Sequence, residues 1–150
     1  MTSHPQPARR QSLARSRLRK HADFLRAYAA GRKRQSSNMS WFIAPQSSPP
    51  DGDTAAPRPR IGLTVGKVLG KAHQRNRIKR RMREALRRHV DLLPPGFDLI
   101  FHPRRAVLTV EFSQLEREIV RILLEARAEA LRAADPSAIA AATTAKAKPA

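Results

Sequence analysis

The 150-residue chain contains no cysteine, which excludes a disulfide framework and a thiolate metal site and fits a reducing cytoplasm. The five histidines are scattered, at spacings that do not indicate a zinc cluster. The first twenty residues contain no apolar run, so a signal peptide or membrane anchor is not expected. These absences predict a soluble intracellular protein.

Acidic residues are also scarce, at 12 Asp and Glu against 30 Lys and Arg, and the formal net charge is +18 at pH 7. Such an excess is typical of proteins that bind nucleic acid. A membrane surface is the alternative partner of a basic chain. Helices that bind membranes carry a long apolar face opposite the basic one, and the basic segments here lack it, so RNA or DNA is favoured.

Groups for catalysis are not apparent in the sequence. Glu84 has no neighbouring carboxylate for acid-base chemistry, and no Gly-rich phosphate loop precedes a helix. A self-sufficient nuclease would need clustered carboxylates to hold Mg²⁺, and none is evident. The sequence therefore favours a binding protein.

The composition divides the chain into a basic arm, one domain that contains a Pro-rich loop, and a low-complexity tail. Residues 1–17 are polar and Arg-rich and are predicted to form a disordered basic arm. Residues 45–59 contain five prolines and are predicted to form a long loop within the domain. Residues 135–150 are predicted to form a disordered Ala/Lys-rich tail, which leaves a compact domain over residues 18–134.

Hydrophobic periodicity predicts helices over residues 21–30, 72–90 and from Ser113 to about Ala134, and strands over residues 38–44, 60–66 and 97–102. Gly31 is expected to end the first helix in a left-handed conformation, and Ser113 with Glu116 forms a capping-box signature. The order α-β-β-α-β-α predicts an α+β, two-layer sandwich.

Alternation along the strands predicts which side chains face the core. In the first strand Met39, Trp41 and Ile43 share one face, and Phe42 lies on the other with Ser40 and Ala44. In the second strand the branched residues are expected inward, and Gly62, Thr64 and Gly66 form a nearly bare face that a ligand could approach closely. The third strand is expected to turn Phe97, Leu99 and Phe101 inward.

The middle of the chain is the most basic part. Residues 67–88 hold ten cations against the single acid Glu84. Like charges one turn apart weaken a helix, so this density indicates that a polyanion neutralises it. The predicted helix buries a stripe of Ile78, Met82, Ala85 and Leu86. Arg75 falls within the arc of the helix surface that this apolar stripe covers, the apolar arc. Its guanidinium is therefore expected to reach a carboxylate, a carbonyl or a phosphate.

These residues carry a recognisable pattern. The run RIGLTVGKVLGKAHQRNRIKRRMRE at 60–84 resembles the bacterial ribonuclease P protein family, whose hallmark is G-L-x-V-x-K followed by G-x-A and an R-N-R-x-K-R helix. The matching residues are Gly62, Leu63, Val65, Lys67, Gly70, Ala72, Arg75, Asn76, Arg77, Lys79, Arg80 and Arg83. The resemblance extends over residues 17–130 and includes the aromatic pair Phe24 and Tyr28.

The resemblance implies a fold and a function. It implies a sheet with a left-handed β-α-β crossover, and a protein subunit that assists a catalytic RNA in removing the 5′ leader from precursor tRNA. The RNA would carry out the hydrolysis and require Mg²⁺, and the protein would bind no cofactor tightly. The expected partners are the catalytic RNA and precursor tRNA in the cytoplasm, without a membrane or a small-molecule ligand.

The resemblance also implies two sets of site residues. The leader cleft would be lined by Phe24, Tyr28, Phe42 and Lys67. The catalytic RNA would be contacted by Arg75, Asn76, Arg77, Lys79, Arg80 and Arg83. Exposed aromatic rings can stack unpaired bases, and cations without acidic partners can bind phosphate.

Each of these assignments has a structural alternative. The three aromatic side chains could be core residues, and Lys67 could be a solvated surface lysine. The cations could form ion pairs, and Asn76 could cap or orient its helix. Pro103 stands near where the family often has a basic residue, which leaves open what Arg104 and Arg105 do. A ribosomal or RNA-chaperone protein is the rival interpretation, and the ordered strand-helix motif is what argues against it.

Overall fold

The computed structural model describes residues 16–46 and 58–134. The helices and strands of this part are α1 (His21–Ala30), β1 (Arg32–Gln35), β2 (Met39–Pro45), β3 (Arg60–Leu63), α2 (Ala72–His89), β4 (Phe97–Pro103) and α3 (Phe112–Ala134). Short 3₁₀ segments lie at Lys67–Leu69, Val90–Leu92 and Arg105–Leu108. The predicted tail and most of the predicted arm and loop lie outside the described residues.

The strands form a four-stranded sheet in the order β1-β2-β4-β3. β2 pairs antiparallel with both β1 and β4, whereas β3 runs parallel to β4. Because α2 connects these parallel neighbours, β3, α2 and β4 form the β-α-β crossover that the resemblance implies. The pairings confirm the predicted α+β class.

β1 is a strand that the sequence did not predict. Its four residues are polar and exposed, so neither face shows an apolar pattern. The strand is defined by backbone pairing with β2, in which Arg32 lies opposite Ile43 and Gln35 opposite Ser40. Basic side chains on such an edge strand discourage pairing with another chain. The element order is therefore α-β-β-β-α-β-α, with one strand more than predicted.

One face of the sheet, the inner face, carries the main core. Trp41, Ile43, Leu99 and Phe101 point from β2 and β4 towards α2 and α3. The predicted stripe of α2 is buried there, and α3 contributes Leu115, Ile119, Ile122, Leu123 and Ala126. Truncating a side chain of this kind to Ala typically costs about 2–5 kcal/mol of unfolding free energy.

The opposite face, the outer face, carries α1. A second cluster joins Leu18, Ala27, Ala44 and Ile100, all buried, and Phe24, Tyr28 and Phe42 pack against it while remaining half-buried. The predicted separation of Phe42 from Met39, Trp41 and Ile43 is confirmed. Where α1 lies, the sheet carries helices on both faces, so the predicted two layers become three.

Gly31 follows α1 for a different reason from the predicted one. Its backbone is extended, at φ −88° and ψ 157°, so the predicted left-handed conformation is wrong. An ideal Cβ at this position would lie 2.8 Å from the carbonyl oxygen of Ala27 and 2.8 Å from that of Ile43. Gly31 is therefore needed because the end of α1 approaches the backbone of β2 so closely.

Several predicted boundaries also differ from the observed ones. β3 ends at Leu63 rather than Gly66, because the chain enters a 3₁₀ segment in which the Leu69 N–H donates to the Gly66 carbonyl. α3 begins at Phe112, and the carboxylate of Glu116, predicted to complete a cap, lies 3.1 Å from Arg88 Nη1. Arg17, predicted to lie in the arm, forms a β-bridge with Ile61.

Candidate nucleic-acid interface

An aromatic cluster occupies the outer face of the sheet. The rings of Tyr28 and Phe42 meet edge to face with centroids 5.0 Å apart, and Phe24 lies 6.4 Å from Tyr28 one helical turn away. His102 of β4 completes the cluster, 5.5 Å from Tyr28 and 5.6 Å from Phe42. The structure therefore brings together three of the four residues predicted for the leader cleft.

A row of polar side chains crosses the outer face beside these rings. It consists of Thr64, His102, Ser40 and Gln35, one from each strand or its immediate continuation. The Tyr28 hydroxyl lies 2.9 Å from His102 Nε2 and 3.2 Å from Thr64 Oγ1. Hydroxyl, imidazole and amide groups can hydrogen-bond base edges, so this polar row could read unpaired bases that stack nearby.

The environment of His102 favours its uncharged form. Burial lowers the pKa of His102, and the positive charge of Lys33 lowers it further. The ring therefore shares its hydrogen bond with Tyr28 as an uncharged imidazole. This keeps the centre of the aromatic cluster free of charge, although its surroundings are strongly basic.

A buried ion cluster fixes α1 over the outer face. Arg60 of β3 binds both carboxylate oxygens of Asp98, at 2.7 and 2.9 Å, and reaches Asp23 of α1 at 3.2 Å. Burial raises the pKa of Asp98, and the hydrogen bond and charge of Arg60 oppose that shift. Removing Arg60 would leave the buried carboxylate of Asp98 without an ion-pair partner, a change that typically costs about 3–5 kcal/mol, whereas Asp23 would keep its ion pair with Arg26.

The bare face predicted for β3 has a different use from the predicted one. An ideal Cβ at Gly62 would lie 2.7 Å from Phe24 Cε1 and 3.1 Å from Leu18 Cδ2. Phe24 and Leu18 therefore cover Gly62, and the expectation of close ligand approach is wrong at this residue, whereas Gly66 is exposed. The missing side chain of Gly62 instead lets the Phe24 ring lie against the sheet.

Some of the cations of α2 have partners within the protein. Arg81 donates to the backbone carbonyls of Leu108 and Val110. Burial and then the charge of Arg77 lower its pKa. Arg87 and Arg88 both contact Glu84, at 2.6 and 3.1 Å. The hydrogen bond from Arg87 is the largest of the causes that lower the pKa of Glu84. These three arginines are occupied by structural contacts.

The other predicted cations of α2 have no carboxylate within ion-pair distance in the described part of the chain. They are Arg75, Arg77, Lys79, Arg80 and Arg83. Arg75 is half-buried, as its position in the apolar arc predicted, and its Nε has no hydrogen-bond partner among the described residues. Ion pairing therefore does not explain these five cations.

A cavity of about 550 Å³ connects the two surfaces at the β3 edge of the sheet. Arg17 and Arg19 line it from the segment before α1, and Arg83 lines it from α2. Phe24 contributes an aromatic wall, and the floor is apolar. The aromatic cluster and the basic face of α2 are therefore neighbours.

The remaining predicted residues are exposed. Lys67, predicted to line the leader cleft, begins a 3₁₀ segment four residues beyond the end of β3. Asn76 lies in the second turn of α2. The start of that helix is stabilised by Gln74, whose side-chain oxygen accepts from the Lys71 N–H at 2.9 Å. A capping role for Asn76 is therefore wrong, and a contact with RNA stays a prediction.

Arg104 and Arg105 follow β4 and are also exposed. Arg104 Nη2 donates to Gln35 Oε1 at 3.2 Å, which links it to the end of the polar row. The described residues show no comparable partner for the Arg105 side chain.

Two residues of the outer face were missed in the sequence. His102 had a signal, because the alternation that turns Phe101 inward also turns its neighbour outward. No sequence signal pointed to Lys33, because β1 has no apolar periodicity. Its Cα is paired with that of Phe42, which puts its side chain on the outer face.

Within residues 16–46 and 58–134, no three His, Asp or Glu side chains are grouped so that they could hold a metal ion. None of the helices in these ranges has the length and apolar character needed to span a membrane.

The fold and its two surfaces define a class of small, strongly basic α+β proteins with an aromatic sheet face next to a cationic helix. A family model for ribonuclease P matches residues 13–127. The ribonuclease P protein component of Chloroflexus aggregans is 40% identical over 112 residues, which cover 74% of this chain and 77% of that protein. The chain therefore belongs to the ribonuclease P protein family.

Solved structures agree with this membership. The ribonuclease P protein from Thermotoga maritima is 27% identical, with a TM-score of 0.59 over 73% of this chain and 96% of that one. The protein from Staphylococcus aureus is 26% identical, with a TM-score of 0.59 over 75% of this chain and 95% of that one.

Proposed function

We propose that this chain is the protein subunit of the ribonucleoprotein endonuclease ribonuclease P, and that it binds the catalytic RNA and the 5′ leader of precursor tRNA. One observation carries the proposal. In a member of this family, a half-buried aromatic cluster and a helix face of cations without carboxylate partners lie side by side around one cavity. The protein would assist 5′-end maturation of tRNA.

The outer face is suited to single-stranded RNA. Proteins that bind unpaired strands combine aromatic platforms for the bases with cations for the backbone. Phe42 and Tyr28 supply the platform, and the polar row supplies hydrogen-bonding groups beside it. The leader is a single-stranded segment of precursor tRNA, so it fits this face.

The basic face of α2 is suited to a folded RNA. Arg75, Arg77 and Arg80 offer guanidinium groups that match phosphate geometry and are not neutralised by acids of the described chain. Each phosphate contact releases counterions from the RNA, which makes the binding strong at low salt. We assign this face to the catalytic RNA.

We assign the hydrolysis, and the Mg²⁺ that it requires, to the RNA subunit. Asp23 and Asp98, the buried carboxylates of the outer face, share Arg60, and Asp23 is also paired with Arg26. Glu84 is paired with Arg87 and Arg88. The protein instead positions the leader and reduces the repulsion between the phosphates of the two RNAs.

The test is reconstitution of the purified full chain with a bacterial ribonuclease P RNA and a precursor tRNA at low Mg²⁺. We expect the protein to accelerate cleavage at the mature 5′ end, because it offsets the phosphate repulsion that Mg²⁺ screens less well at low concentration. Polylysine at equal charge controls for nonspecific neutralisation. Cleavage by the chain without RNA, or acceleration no greater than with polylysine, would contradict the proposal.

A further inference from the structure

β1 adds one cation to the outer face. Lys33 is exposed, and its Cα pairs with that of Phe42, so its side chain lies on the same face as the aromatic cluster. Its charge reaches His102, since it contributes to the lowered pKa of that ring. No acidic side chain of the described residues forms an ion pair with Lys33.

The two flanking cations of β1 lie on the other face. Arg32 pairs with Ile43 and Arg34 with Trp41, and both partners belong to the inner face. The guanidinium of Arg34 is 3.0 Å from Glu129 and 6.0 Å from the centre of the Trp41 ring. Of the three cations of β1, Lys33 is therefore the one directed to the aromatic cluster.

The order of the strands gives the leader a direction across this face. β3 and the cavity, which Arg83 of α2 also lines, lie at one edge of the sheet, and β1 lies at the other. The cleavage site must lie beside the catalytic RNA, which we assign to α2. Nucleotides close to the cut would therefore lie near β3, and later ones would cross β4 and β2, a width of about 14 Å at the usual strand spacing.

We propose that the leader leaves the protein over β1, where Lys33 binds a backbone phosphate of a nucleotide distant from the cleavage site. This inference rests on the proposed function. Lys33 would extend the single-strand site beyond the aromatic cluster, so that affinity depends on leader length. Arg104, linked to Gln35 at the same edge, lies where it can support the same exit.

The test compares Lys33→Ala with Arg32→Ala in the reconstituted holoenzyme. The two variants remove equal charge from adjacent exposed positions of β1 but from opposite faces, so Arg32→Ala is a matched control. Dissociation constants are measured for precursor tRNAs with leaders of about two and about ten nucleotides, the second within the site sizes of single-strand binding proteins. Melting curves verify that both variants fold.

We expect Lys33→Ala to weaken binding of the long leader by about threefold to tenfold and to reduce the salt slope by about 0.7, the value for one single-strand phosphate contact. The short leader should bind as before, Arg32→Ala should change neither, and Lys33→Arg should restore the long leader. Equal losses in both alanine variants, or no loss in either, would overturn the inference. If wild-type holoenzyme did not distinguish precursor from mature tRNA, the proposed function itself would fail.

Discussion

Phe24, Tyr28 and Phe42 each pack against the interior and also expose part of the ring at the surface. All three pack against the buried cluster of Leu18, Ala27, Ala44 and Ile100 and keep part of the ring exposed. From the sequence, these rings could be either core residues or residues of the leader cleft. In the structure one ring can be both, because it is packed on one side and exposed on the other. A ring held on one side by packing loses little further conformational freedom when a base stacks on it, which favours binding.

His102 gives the aromatic cluster a dependence on pH. Its pKa is lowered in the folded protein, mainly by burial, whereas in the unfolded chain it is near 6.5. Below about pH 6.5 the unfolded state therefore binds more protons, and stability falls as the pH decreases through the folded pKa. We expect the melting midpoint of wild type to fall more than that of His102→Gln between pH 8 and pH 5.

His102→Gln keeps a hydrogen-bonding group for Tyr28 but cannot become positively charged. The other histidines are present in both proteins, so their contribution cancels when the two melting midpoints are compared. The difference between the two midpoints should be constant above about pH 7 and change below it. A difference independent of pH would show that protonation of His102 costs nothing in the folded state.

At the scale of elements, α2 divides its cations between structure and surface. Replacing Arg75 and Arg77 together with Ala should weaken binding of the catalytic RNA and reduce the salt slope by roughly one to two counterions. The control replaces Arg127 and Arg132, two exposed arginines of α3, and removes the same charge. Binding and salt slope are measured by titration at several salt concentrations, and circular dichroism verifies the fold. An equal change in both double variants would mean that only total charge matters.

The elements that could be predicted are those whose side chains alternate between core and solvent. The apolar stripe of α2 and the inward residues of β4 were predicted correctly, because burial imposes a regular spacing on the apolar residues of a helix or strand. β1 could not be predicted, because backbone pairing with β2 defines it and its side chains are all polar. Gly31 was correctly placed at the end of α1, but its close approach to Ile43 exists only in the tertiary structure.

The candidate site could likewise be predicted only in part. The strand-helix motif located the cations of α2, but which of them are occupied by Glu84 or by backbone carbonyls depends on side-chain packing. The alternation of side chains along a strand placed Phe42 on the outer face, and the same argument would have placed His102 there. The contact of Phe24 with Gly62 depends on how α1 crosses the sheet, which the ion cluster around Arg60 fixes.

At the scale of the whole molecule, the formal charge of +18 would attract any RNA. What would separate this protein from a general polycation is the arrangement of its surfaces. The inner face is closed by α2 and α3, and the aromatic rings of the outer face adjoin the basic face of α2 through the cavity at the β3 edge. The central claim is that these rings recognise the unpaired leader, and Phe42 is the residue at which to test it.

The most direct measurement is the affinity of the holoenzyme for precursor tRNA relative to mature tRNA, with Phe42→Leu in place of wild type. Leucine keeps an apolar side chain over Ile100 but removes the stacking ring, so binding of the leadered RNA should lose about 1–3 kcal/mol while mature tRNA binds as before. Phe42→Trp should retain the preference. Equal losses for both RNAs, with a lowered melting midpoint, would contradict the account and make Phe42 a core residue only.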